Sequence, residues 1–110
     1  MLPILLDLSI VKVVLVGEGK AFAQRRALLD AAGGEEAGVD IYTSGARPAE
    51  AVLQAAQLVF VAGLDETESA GIAQIARASG ALVNVEDVKP LCDFHMPSLV
   101  RRGDLVVTVS

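Results

Sequence analysis

Val11-Lys12-Val13-Val14-Leu15-Val16 runs straight into Gly17-Glu18-Gly19, and then into Lys20-Ala21-Phe22-Ala23. The fold is read from this junction. The first six residues are apolar except for Lys12, and strict alternation is expected only where one face of a strand meets water. A nearly continuous apolar run therefore predicts a strand covered on both sides. The glycines end it, and an Ala-rich stretch with helical spacing follows over 20–32, stopped by Gly33 and Gly34.

The same two textures alternate along the chain. Residues 39–43, 58–63, 81–85 and 105–110 are further short runs rich in β-branched residues and predict strands. Between them, Ala49, Val52, Leu53 and Ala56 share one helical face in a segment over 48–57, with Pro48 suited to its first position. Ile72, Ile75 and Ala76 form the apolar stripe of a helix over 67–79. Asp65 and Glu68 have the spacing of a capping box before it. A short helical turn is expected over 97–102, and residues 33–38 read as a surface loop. Strands separated by helices predict parallel pairing through right-handed crossovers. The expected fold is α/β: a Rossmann-like, open, mostly parallel twisted sheet of about five strands with helices on both faces, in one domain over 1–110.

Composition excludes several partners. Fourteen acidic residues against nine basic ones leave a net charge of −5, the wrong sign for a surface that tracks phosphates; no nucleic acid is expected. Cys92 is the single cysteine, so there is no internal disulfide and no thiolate cluster for a metal. A reducing cytoplasm fits. The apolar opening lacks a basic leader, and Asp7 and Lys12 interrupt it short of the ~18 residues of a membrane span. No membrane association is expected.

Three places carry candidate chemistry. In the first, Gly17 and Gly19 fit the opening positions of G-x-G-x-x-G, where glycines permit a tight turn and let backbone approach a pyrophosphate at a helix N-terminus. Phe22 falls where a third small residue normally sits. Glu18 adds negative charge near a diphosphate and Lys20 offsets it; a plain βα turn fits the same residues. In the second, the 39–43 strand ends Tyr42-Thr43-Ser44-Gly45 without the acid that usually meets a ribose, and Thr43 and Ser44 remain as hydroxyl donors. In the third, Asn84, Asp87 and His95 fall at or just past the end of the fourth strand, on the edge where open α/β sheets bind ligands. A carboxylate there suits general acid or base work. A loop carboxylate capping N–H groups is the plainer reading of Asp87, and a packed structural histidine that of His95. Cys92 reads as a buried small residue.

Together these stretches resemble the N-terminal domain of siroheme synthase, the precorrin-2 dehydrogenase family. The opening Leu2-Pro3-Ile4-Leu5-Leu6-Asp7-Leu8 is similar to that family's start. Val13-Val14-Leu15-Val16-Gly17-Glu18-Gly19 with Ala23-Gln24-Arg25-Arg26 resembles its glycine turn and first helix. Leu82-Val83-Asn84-Val85-Glu86-Asp87 resembles its N-V-V-D strand end, and Phe94-His95-Met96-Pro97-Ser98 with Arg101-Arg102-Gly103-Asp104-Leu105 resembles its F-x-x-P turn.

The resemblance implies oxidation of the tetrapyrrole precorrin-2 to sirohydrochlorin with hydride passing to NAD, in some members joined to ferrous iron insertion. It places the catalytic aspartate at Asp87. It places cofactor contacts at Gly17, Gly19, Lys20 and Ala21, and around Thr43 and Ser44, with Asn84 beside them. In the family a helical region beyond the position of Ser110 serves dimerisation and covers the substrate; for this chain, self-association as a homodimer is expected from an exposed sheet edge beside the apolar N-terminal segment. Three departures stand out: Glu18 inside the glycine turn, a connection after the second strand too short for an additional strand and helix, and that missing C-terminal region. A catalytically degenerate domain of the same fold, binding a nucleotide, a tetrapyrrole or a partner, is the alternative.

Overall fold

In the computed structural model of the chain, residues 1–96 are described in full and the two strands over 98–102 and 105–109 by their backbone; Pro97, Gly103, Asp104 and Ser110 are not described. After a 3-10 turn at Leu8–Ile10 come β1 (Val13–Gly17), α1 (Gly19–Ala31), α2 (Gly34–Ala37) and β2 (Asp40–Tyr42). Next are α3 (Glu50–Ala55), β3 (Leu58–Ala62), α4 (Glu66–Ala78) and β4 (Leu82–Val85). A second 3-10 turn at Lys89–Leu91 precedes β5 (Ser98–Arg102) and β6 (Leu105–Val109).

The first four strands form one parallel sheet in the order β2-β1-β3-β4. Every residue of β1 and β3 is buried, as their continuous apolar runs require of strands covered on both faces. The pleat divides them between two layers. Val14, Val16, Val59 and Val61 meet Leu53 of α3 and Ile72, Ala73 and Ala76 of α4. Val13, Leu15 and Phe60 meet Phe22 and Leu29 of α1 on the other face. Truncating a buried leucine such as Leu53 typically costs about 2–5 kcal/mol, so α3 is fixed by packing despite its six residues. α4 starts where Asp65 accepts the Glu68 N–H at 2.7 Å, as the cap spacing predicts.

Several expectations are corrected. The 97–102 stretch is not a helical turn. Its described residues form β5, which pairs antiparallel with β6 in a separate two-stranded sheet, Val100 opposite Val107. The last strand therefore does not extend the parallel sheet, which has four strands. Backbone pairing with a strand rich in β-branched residues outweighs a weak helical signal. The 33–38 loop contains the single turn α2. The helix expected over 48–57 begins at Glu50 behind Ala49, leaving Pro48 outside it. Glu68 turns to Arg47 rather than closing the capping box.

The β4 edge is covered by the chain itself. Asp93 N–H donates to the Val83 carbonyl at 2.8 Å, and the Val83 N–H donates to the Asp93 carboxylate at 2.8 Å. The Cys92 thiol lies against the N–H and carbonyl of Val85, half-buried. Residues 92–94 thus run back along β4. They carry His95 away from the strand's carboxyl end, where it is exposed rather than packed. No helix among the described residues is long and apolar enough to cross a membrane.

Candidate dinucleotide and catalytic site

β1 leads through α1 to β2 on one side, while β3 leads through α4 to β4 on the other. The carboxyl ends of β1 and β3 therefore flank a switch point, the usual ligand crevice of such sheets. There the backbones crowd together. A Cβ on Gly17 would lie 1.8 Å from the Ala62 carbonyl oxygen, and one on Gly63, at φ +78°, would lie 2.0 Å from the Glu18 carbonyl oxygen. The Glu18 N–H closes the contact by donating to Ala62 at 3.0 Å. Gly17 is thus required by packing between strands as well as by the turn. Gly63 is an equal partner that the sequence reading passes over, although a glycine ending an apolar run is a signal of close approach.

Gly19 opens α1, and a side chain there would meet nothing within 4 Å. No side chain caps this helix. The first-turn N–H groups over 19–21, which lack intrahelical partners, are left to an anion at the positive helix end. Lys20 is exposed beside them, and Ala21 packs half-buried on the α1-side core. Phe22, a mismatch to the glycine pattern, is buried in that same core. Its bulk is accommodated by packing rather than by a closer helix.

Glu18 does not project toward the helix N-terminus. Its Oε2 accepts the Ser44 N–H at 2.9 Å, and its Oε1 accepts the Gly45 N–H at 2.7 Å and Arg47 Nη1 at 2.9 Å. The Gly45 N–H and the Arg47 guanidinium hold this carboxyl below its usual range, against a small opposing effect of desolvation. Arg47 also donates through Nε to Glu68 of α4 at 2.7 Å. Its two carboxylate partners, Glu68 foremost, raise its pKa. Thr43 is half-buried and Ser44 exposed at φ +53°. Two connecting loops and the first turn of α4 are thereby tied together at the β2 end of the rim. Pairings across 26 to 29 residues leave no local pattern to detect.

At the other end, Asp87 lies two residues past β4, exposed and at φ +62°. That conformation is uncommon outside glycine, though Asp tolerates it better than most residues. Among the described residues its carboxylate has no hydrogen-bond or ion-pair partner. Next to it, Glu86 pairs with Arg25 of α1, fixing the loop against the first helix. Two strand spacings of about 4.8 Å each separate β1 from β4, so the glycine turn and Asp87 share one rim. Asn84 is brought close in sequence only: it is buried, and its amide donates to the Phe94 carbonyl at 2.9 Å. Asp93 lies further back along β4, beside Val83 and away from the rim. Burial opposes its ionisation, but Arg77 and the Val83 N–H still hold its carboxyl below the usual range.

The arrangement offers a backbone anion site, a carboxylate at the β2 end and a free carboxylate at the β4 end. Residues 4–98 match a family described as putative NAD(P)-binding. The chain is 40% identical over 76 residues, 69% of its length, to a siroheme synthase of Pseudoalteromonas atlantica, of which it covers 16%. It is 31% identical over an alignment of 124 positions to the siroheme synthase of Nitrosococcus oceani, with 99% of the chain matched against 26% of that protein. The chain thus spans only 16% and 26% of these two relatives. Its fold superimposes on SirC, a precorrin-2 dehydrogenase, with a TM-score of 0.68 at 17% identity, over the whole chain and 61% of that structure. The chain belongs to the putative NAD(P)-binding family, in the form that makes up the N-terminal domain of siroheme synthase.

Proposed function

We propose that the chain is the NAD-binding and catalytic domain of a precorrin-2 dehydrogenase acting in siroheme biosynthesis. The observation that carries this reading is the pairing, on one rim, of an uncapped α1 N-terminus with an unpartnered Asp87 carboxylate. The residues fit a dinucleotide. The backbone over Gly17, Gly19, Lys20 and Ala21 would hold the pyrophosphate, and Thr43 and Ser44 would meet the adenosine ribose. When bound, the nicotinamide supplies the acceptor for two electrons and one hydrogen from the tetrapyrrole.

Oxidation of precorrin-2 also releases a proton, and Asp87 would take it, since no side chain among the described residues competes for its lone pairs. Asn84 acts indirectly. By holding the Phe94 carbonyl it keeps residues 92–94 along β4, and so sets where the Asp87 loop ends. The Arg25–Glu86 pair fixes the start of the loop from α1. The remaining cover of the tetrapyrrole would come from sequence outside these 110 residues or from a second copy. Of the two sheet edges, β4 is covered by residues 92–94, so a homodimer would use β2 or the exposed apolar opening (Leu2, Ile4, Leu5). A cytoplasmic location is part of this reading and agrees with the single, unpaired Cys92.

The test is Asp87→Asn in the full-length protein. Turnover of precorrin-2 should fall by about 10²–10⁴-fold, while NAD affinity measured by calorimetry changes less than twofold. Undiminished turnover would remove Asp87 from the chemistry. Wild-type protein that binds NAD but never oxidises precorrin-2 would leave a binding domain alone.

A further inference from the structure

Dinucleotide-binding sheets that accept an unphosphorylated ribose commonly place an acid at the end of the second strand, where it takes the 2′-hydroxyl. Tyr42-Thr43-Ser44-Gly45 has none. A carboxylate is nonetheless present at this point, supplied from the glycine turn. We propose that Glu18 replaces the missing acid of β2 and selects a ribose with a free 2′-hydroxyl over a 2′-phosphorylated one. This rests on the dinucleotide reading and adds to it the residue that sets cofactor choice.

The geometry supports both halves of the role. A carboxylate has about four acceptor positions. Gly45 N–H and Arg47 take two on Oε1, and Ser44 N–H takes one on Oε2. One position on Oε2 is left for a donor such as a hydroxyl. The side chain is about one-third exposed, so that position is reachable. The three donors hold the carboxylate in place, as an acid that reads a ribose must be held.

The same donors explain the selectivity. Without Glu18, successive N–H groups at Ser44 and Gly45, both at positive φ, together with the Arg47 guanidinium would form a cradle for a phosphate. With Glu18 in place, a 2′-phosphate carrying about −1.5 to −2 charge meets a carboxylate already in the cradle and must displace it. Glu68 draws off part of Arg47 as well. The chain thus carries its own anion where a 2′-phosphate would lie.

The experiment is calorimetric titration of the chain with NAD and NADP, and with 5′-AMP and adenosine 2′,5′-bisphosphate to isolate the ribose end. Wild-type protein should bind NAD at least tenfold more tightly than NADP. Glu18→Ala should shift that ratio by at least thirtyfold, chiefly through tighter binding of the 2′-phosphorylated compounds, and a further Arg47→Ala should abolish the gain. If Glu18→Ala does not fold, Glu18→Gln, which keeps the shape and removes the charge, should still shift the ratio by about tenfold. A wild-type preference for NADP, or a ratio that moves less than twofold in these variants, would overturn the assignment to Glu18 while leaving dinucleotide binding intact. Absence of binding by any of the four compounds in wild type and variants would overturn the dinucleotide reading and this inference together.

Discussion

At the β2 end of the rim, Glu18 accepts three hydrogen bonds and Arg47 spans two carboxylates. At the β4 end, Asp87 lies exposed in a left-handed backbone conformation with no partner among the described residues. One carboxylate is committed and the other is uncommitted, a few strand spacings apart on the same sheet edge. The difference fits the roles proposed for the two ends. A group that recognises a fixed feature of a cofactor gains from being held, because ordering it beforehand lowers the cost of binding. A group that takes up and gives back a proton gains from lone pairs that nothing else uses.

The largest effect is expected where the two ends meet. Gly17→Ala would drive a methyl group into the Ala62 carbonyl, and the backbone between β1 and β3 would have to open. A loss of about 3 kcal/mol is expected, seen as a fall of about 15 °C in the thermal midpoint of this 110-residue chain. A variant of wild-type stability would show that the close approach at the switch point is not maintained in solution.

The next effect separates the two ends directly. Asp87→Gly relieves a left-handed conformation that costs L-residues roughly 1–2 kcal/mol, offset by glycine's greater unfolded freedom. Stability should be unchanged or raised by up to about 1 kcal/mol, while turnover in the full-length protein is lost. Glu18→Ala should instead lower the thermal midpoint. If both substitutions destabilise alike, the contrast between a committed and an uncommitted carboxylate fails.

The smallest effect is in acid. The folded-state pKa values of Glu18 and Asp93 lie below their ordinary values of 4.5 and 3.8. The unfolded chain therefore binds protons first as pH falls. The contribution of both groups is complete above about pH 5 and is lost as pH falls through their lower folded values. Denaturation midpoints followed from pH 6 to pH 3 should decline, and the decline should flatten in the Glu18→Ala variant. A profile that is flat in wild type would mean these contacts do not persist in solution.

How far the sequence carries can be judged from particular residues. β1 and β3 were legible because strands buried on both faces leave unbroken apolar runs, β4 because Val83 and Val85 give it a β-branched texture around Asn84, and the α4 start because Asp65 sits at cap spacing. The strand over 105–110 was legible in the same way and is β6, but β5 was not, since the 97–102 stretch takes its state from pairing with β6 rather than from local propensity. In the site, Gly17, Gly19 and Asp87 could be placed because strand ends and glycine turns fix them locally. The role of Glu18 depends on a loop 26 residues away, and the placement of His95 depends on Asp93 binding back to Val83. Both belong to tertiary topology, which no window of sequence contains.

The central claim is that a dinucleotide lies across the carboxyl rim of the parallel sheet. Titrating NAD into isotopically labelled chain while following backbone amide resonances tests it most directly. The account predicts saturable shifts at Gly19, Lys20, Ala21, Ser44 and Gly45, with Asp87 following and the opposite sheet edge around Ala32 and Ala37 unmoved. Shifts confined to that opposite edge, or none at millimolar NAD, would contradict it.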